Sequence, residues 1–212
     1  MKGITLVSLV AILAVAVTAF AGEQSTIIGN LVYFEKATAR PGESFGVNIR
    51  IANEDVLAGA QGTIFFRSES IKLVCDSISF AGSRCENFAL HLAKIPLVCE
   101  KCGAKYEVYN EPSKRPGICD HDGGKLTQKE AVFFFMTILD VSKTDNNVPM
   151  PPGDGLLATV YFTAPKDSPA GIVKLVRGII PSSSVSYGFS VWDPMGTDLE
   201  GQVREGEIEI RP

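Results

Sequence analysis

"GDGLLATVYFTAPKDSPAGIVKL", residues 153–175, is the stretch on which the fold reading rests. Leu156, Ala158, Val160 and Phe162 alternate with Leu157, Thr159, Tyr161 and Thr163, and a period of two sends successive side chains to opposite faces of an extended strand. Ser168-Pro169-Ala170-Gly171 then breaks the run, as proline and glycine do between strands. The same alternation occurs at Ser44 to Ile51, with Phe45, Val47, Ile49 and Ile51 on one face, and near the end at Ile208 and Ile210. Further turn signals stand at Arg40-Pro41-Gly42, Pro151-Pro152-Gly153-Asp154-Gly155 and Pro181-Ser182-Ser183-Ser184. No stretch of about twelve residues keeps a helical period. Short half-buried strands and frequent turns predict an all-β, antiparallel β-sandwich.

The first residues read as a secretory leader: Lys2, an apolar run from Ile4 to Val17, and small residues at Ala19 and Ala21. Cleavage is expected between Ala21 and Gly22. The apolar run is shorter than the roughly 20 residues of a membrane span, so membrane attachment would arise only through an uncleaved leader. Removal of 1–21 leaves 191 residues and takes away one charge, Lys2, shifting the formal net charge from −4 to −5. An acidic chain with no basic run argues against a nucleic-acid partner. The expected location is secreted, extracellular.

Five segments, taken in order, carry a family resemblance: "ARPGESFGVNIRIAN", "LAGAQGTIFFRSESIKLV", "EAVFFFMTIL", residues 153–175 and "GQVREGEIEI". In this order the chain resembles cohesin domains, in which a Gly-x-Leu-Ala-x-Ile/Val-x-Phe strand precedes a Pro-Ala-Gly turn. The resemblance covers residues 27–96 and 128–212. It implies a nine-stranded, jelly-roll-like sandwich, akin to carbohydrate-binding modules, that binds a dockerin-type protein on one sheet face without catalysis, as in polysaccharide-degrading assemblies. One departure falls after the third strand, where the family has Tyr-Asp-Pro and this chain has Phe66-Arg67-Ser68-Glu69-Ser70.

Between these segments lies "CEKCGAKYEVYNEPSKRPGICDHDGG", residues 99–124. Cys99 and Cys102 are followed by Gly103, and Cys119 and Asp122 repeat that spacing before Gly123-Gly124. Two such knuckles give four ligands, and glycine lets each turn back toward its sulfurs. The stretch resembles the zinc-holding lid of adenylate kinases. Cys99, Cys102, Gly103, Tyr106, Pro112, Lys114, Gly117, Cys119, Asp120, Asp122, Gly123 and Gly124 match the lid pattern, whose fourth ligand is Cys or Asp. A structural zinc on Cys99, Cys102, Cys119 and Asp122 is the expectation, with the ribbon at 97–127 interrupting a sandwich of 22–212. His121 is the alternative fourth ligand, iron the alternative metal, and disulfide pairing of the thiols the alternative chemistry. The chain has no Gly-x4-Gly-Lys-Ser/Thr loop, so no nucleotide site is expected.

Five cysteines less three metal thiolates leave Cys75 and Cys85, which an exported protein would tend to join. Separate buried thiols are the other reading. Of the two histidines, His91 reads as a surface or capped residue. The oxygen-rich run from Asp140 to Asn147 lacks EF-hand spacing and reads as a turn. Trp192 reads as core. The functional expectation is a secreted, non-enzymatic, cohesin-like binding module whose partner is a dockerin-like protein. Polysaccharide is the second partner class, through a carbohydrate-binding module, and a secreted metalloenzyme using the Cys/Asp site is the third reading.

Overall fold

The computed structural model describes residues 29–109, 117–128, 131–140, 148–178, 180–181, 186–187 and 189–212. The leader with its Ala21–Gly22 step, Pro112 and Lys114, and positions 141–147 lie outside the described residues. In chain order the strands are β1 (Asn30–Phe34), β2 (Ala37–Ala39), β3 (Ser44–Asn53), β4 (Gly59–Arg67), β5 (Val74–Ser79) and β6 (Leu90–Cys99). There follow β7 (Lys105–Tyr109), β8 (Leu126–Thr127), β9 (Val132–Ile138), β10 (Gly153–Thr163), β11 (Gly171–Arg177) and β12 (Ile180–Pro181). The chain closes with β13 (Ser186–Tyr187), β14 (Ser190–Trp192), β15 (Asp198–Leu199), β16 (Gly201–Arg204) and β17 (Gly206–Ile210). No helix among the described residues is long and apolar enough to cross a membrane.

Two sheets carry the architecture, in the strand orders β16-β1-β3-β10-β5 and β2-β17-β11-β4-β9-β6-β7. Their facing sides meet in one core. Val47, Ile49 and Ile51 of β3, Val160 and Phe162 of β10, Ile64 and Phe66 of β4, Phe133 and Phe135 of β9, and Ala93 and Ile95 of β6 all enter it. Phe66, Phe133 and Phe162 meet edge-on or stacked, with centroids 5.2–6.3 Å apart, a favourable aromatic geometry. The predicted all-β sandwich is therefore the observed one.

The alternation predicted for residues 156–163 holds from Ala158 onward and shifts before it. The β3–β10 register slips between Leu156 and Ala158. The extra residue of that bulge turns Leu157 into the core and leaves Leu156 half-buried.

The disulfide expected between Cys75 and Cys85 is not found, and none of the five cysteines is in a disulfide. Cys75 enters the core from β5 in register with Phe162 of β10. The Cys85 thiol instead donates to the Leu157 carbonyl at 3.4 Å. Phe162 and Leu157 are five residues apart on one strand, roughly 16 Å, well beyond the span a disulfide bridges. Burial pushes the Cys85 thiol pKa up, so it serves as a small core residue. A thiol reagent added to the denatured, metal-stripped protein should titrate five thiols; a count of three would restore the bridge.

One polar insertion closes the end of the sandwich. Arg84 donates to the carbonyls of Ile51 at 3.3 Å, Gly153 at 2.8 Å and Pro151, and to Asn53 Oδ1 at 2.6 Å. A Cβ at Gly155 would collide with the Arg84 stem, so glycine is required beneath it. Arg84→Met should cost about 3 kcal/mol in urea unfolding, because it strands several acceptors from a charged donor. A loss under about 0.5 kcal/mol, the size of an ordinary surface change, would show that water satisfies them instead.

Candidate functional site

The knuckle residues form two copies of one local structure. The Gly103 N–H donates to the Cys99 carbonyl at 3.0 Å, and Cys99 N–H to the Ala104 carbonyl at 2.9 Å. The second copy has Gly123 N–H on the Cys119 carbonyl at 2.9 Å and Cys119 N–H on the Gly124 carbonyl at 2.7 Å. Gly103 and Gly123 take φ of 75° and 69°, a left-handed conformation that glycine adopts without strain. The copies are laced together by Glu100 N–H on the Lys125 carbonyl at 2.9 Å and by β8, which pairs with the end of β6. Gly124 sits where they touch, and a Cβ there would stand 2.7 Å from Cys99 Sγ.

This lacing brings Cys99, Cys102, Cys119 and Asp122 together, with one ligand atom from each all within 4.8 Å of one another. Cys99 and Cys119 are buried, Asp122 half-buried and Cys102 exposed. Backbone donors orient the group: Cys102 N–H points at Cys99 Sγ at 3.5 Å, and Gly124 N–H donates to Asp122 Oδ1 at 2.9 Å. The Gly124 bond holds the Asp122 carboxyl down at about 2, so it stays an anionic oxygen donor. Three sulfurs and a carboxylate converging on one point, with their backbone donors in place, can hold a metal ion. His121 lies outside the group, exposed and 3.7 Å from Asp120. Leu97 and Leu126 pack against Cys99 and Cys119 in a small core of their own, with Ala104 and Tyr106 at its edge. The Tyr106 hydroxyl sits 3.1 Å from Cys119 Sγ and donates to Asp120.

The ribbon is continuous with the larger sheet. β6 pairs with β9 from Leu90 to Lys94 and with β7 from Lys94 to Val98. On the side of this sheet away from the core, Gly59 of β4, Ile138 of β9 and Leu90 of β6 form one cross-strand row, and Gln61, Met136 and Leu92 form the next. Trp192 of β14 joins the first row opposite Gly59, where a Cβ would meet its ring at 2.6 Å. The Asp193 carboxylate accepts the N–H groups of Met195 and Thr197, each at 2.8 Å. That turn presents Met195, 93% exposed, beside Trp192 and Ile138, and Leu90, 43% exposed, ends the row on β6. Trp192, expected in the core, is half-buried on this outer face.

Comparison with known proteins follows the same division. Residues 97–130 match the family model of the adenylate kinase active-site lid. Over 33 residues the identity is 58% to an adenylate kinase of Staphylococcus epidermidis and 52% to that of Brevibacillus brevis, in each case 16% of this chain. The chain thus spans about 15% of the length of the curated relatives it matches. The fold as a whole is similar to that of a type I cohesin, OlpA, solved in a cohesin–dockerin complex from Clostridium thermocellum. There the TM-score is 0.52 at 16% identity, covering 87% of this chain and 100% of that one. For the OlpC cohesin of the same organism, also solved with a dockerin, the values are 0.52 and 12%, covering 86% and 94%. The chain has the cohesin fold.

Sequence reading missed the outer apolar row. Leu90, Leu92, Met136 and Ile138 lie on strands apolar on both faces, so period two carries no contrast there. The metal cluster rests on local spacing and was legible. Purified without chelator, the protein should hold about one metal ion per chain. Cys119→Ser should abolish it and His121→Ala should leave it; metal lost with His121→Ala yet kept by Asp122→Ala would reassign the fourth ligand.

Proposed function

We propose that this chain is a secreted, non-catalytic binding module of cohesin type, tethering a dockerin-type protein partner in a polysaccharide-degrading assembly. The docking surface is the outer face of the larger sheet. The observation that carries this reading is the contrast between the two outer faces. On the smaller sheet, Arg50 bonds Asp154 at 2.7 Å and Glu35 at 3.0 Å, Tyr33 donates to Asp154 at 2.6 Å, and Thr159 donates to Asn48 at 2.9 Å. Those polar groups satisfy one another. The larger sheet instead leaves Leu90, Leu92, Met136, Ile138, Trp192 and Met195 in or near solvent, the apolar patch that marks a protein interface. The cohesin–dockerin complexes of similar fold support the choice of partner.

The ribbon's metal is zinc in this reading, held by Cys99, Cys102, Cys119 and Asp122. When bound, zinc supplies a cross-link between the two knuckles, and four protein ligands characterise structural sites. Ligation also keeps three thiols from oxidising in an exported protein, for which the leader argues.

The test is capture of dockerin-bearing proteins from the secretome on the immobilised protein, followed by titration of the purified partner. Leu90→Glu and Met195→Glu should each weaken binding at least tenfold, about 1.4 kcal/mol, with thermal unfolding unchanged. Unaltered affinity in both variants would move the docking surface elsewhere, and retention by insoluble polysaccharide alone would support the carbohydrate-binding reading.

A further inference from the structure

At the far end of the same outer face from Trp192, β4 ends in Arg67-Ser68-Glu69-Ser70, the segment where the chain departs from the cohesin pattern. Ser68 Oγ accepts the Ile71 N–H at 3.2 Å and fixes the turn. Beside it opens a cavity of about 990 Å³ lined, among the described residues, by Arg67, Lys72 and Lys174 against one acid, Glu69, with Ile71 and Ile172 among its apolar walls. The three cations are exposed, and none makes an ion pair among the described residues. Arg67 and Lys174 stand directly opposite each other in the β4–β11 register, a position where like charges repel. The Arg67 guanidinium lies 4.8 Å over the Phe65 ring, which holds it on the outer face. Glu207 stands directly opposite Lys174 in the β11–β17 register, and Lys174 also lines a second cavity with Glu205, Glu207 and Arg204, so the groove's excess of positive charge rests mainly on Arg67 and Lys72. On a chain of formal net charge −4, this groove is a local reversal of sign that an incoming anion would relieve.

We propose that the groove receives an acidic segment of the docked protein, a run of Asp or Glu carboxylates laid between Arg67, Lys72 and Lys174. This rests on the docking reading above. Gly59 and Arg67 are eight residues apart on β4, roughly 27 Å, so one protein covering the outer face meets the apolar row at one end and the cations at the other. The apolar row supplies buried contact, and the charged end sets register and speeds encounter.

The test uses the whole protein and an octaglutamate peptide, with octalysine and an oligogalacturonate as comparison probes. Octaglutamate should bind saturably, and the double variant R67A/K174A should weaken it about tenfold. Binding should vanish near 1 M salt, where the screening length is about 3 Å. The control Lys166→Ala, outside the groove, should bind as the unaltered protein does. Equal binding by R67A/K174A, or binding of oligogalacturonate without octaglutamate, would overturn the proposal. With a captured partner in hand, R67A/K174A should slow association while Leu90→Glu mainly speeds dissociation. Failure to capture any partner would sink the docking reading while leaving the peptide result to stand on its own.

Discussion

The pleat of β6 is the constraint on which the rest of the molecule depends. Ala93 and Ile95 enter the sandwich core, and Leu97 and Cys99 enter the ribbon core. Period two puts all four on one face, so the strand passes from one core to the other without turning over. A slip of one residue would send Ile95 out of the sandwich and Cys99 away from the other ligands together. The ribbon is therefore an extension of the larger sheet, with β7 on one edge of β6 and β8 continuing the line of β9 on the other. Gln128, just after β8, fastens the junction: it accepts the Cys75 N–H at 2.8 Å from the opposite sheet and donates to the Val132 carbonyl at 3.1 Å.

What could be read from the sequence follows from where contrast exists along the chain. β3 alternates cleanly because one side meets the core and the other meets water, and the residues named for it from Phe45 to Ile51 fall within the observed strand. The metal cluster was legible for a related reason: each knuckle is specified within a few residues, so spacing and glycine define it without knowledge of the fold. The bulge at Leu157 was invisible because an inserted residue leaves no compositional trace when its neighbours are all apolar. The pairing of Cys75 with Cys85 misled because separation along the chain says little about separation in space, which the β5–β10 register decides. The opposition of Arg67 and Lys174 lay deeper still, since it exists only once β4 and β11 are aligned.

The ribbon's own core is small enough for a bound metal to matter to its stability. Leu97, Leu126 and the two buried cysteines, edged by Ala104 and Tyr106, are far too little apolar surface to hold an independent unit. Units of this size draw their folding free energy from ligand–metal bonds. Backbone pairing with β6 supplies part of the order, and the knuckle donors fix the sulfurs in advance. A metal bound there would act on β6 and, through it, on Leu90, Leu92 and Lys94 of the outer face.

On the proposed docking face that coupling would reach a surface with a definite order. The apolar row and the cationic groove lie at opposite ends of β4, and the ribbon stands beside them at the edge strand β7. Apolar contact of this kind is nearly indifferent to the identity of the partner, because any complementary apolar surface would gain by burial. Charge discriminates: a partner with basic residues at the groove would meet Arg67, Lys72 and Lys174, which outnumber the acids among the described residues there, and that costs more than it gains. The departure from the cohesin pattern at Arg67-Ser68-Glu69-Ser70 and the ribbon after β6 thus modify one end and one edge of that face while the apolar row at its other end is left in place. Under the proposed docking, partners could change in this way without disturbing the core, since the strands Val132–Ile138 and Gly59–Arg67 keep their packing whichever partner the margins admit.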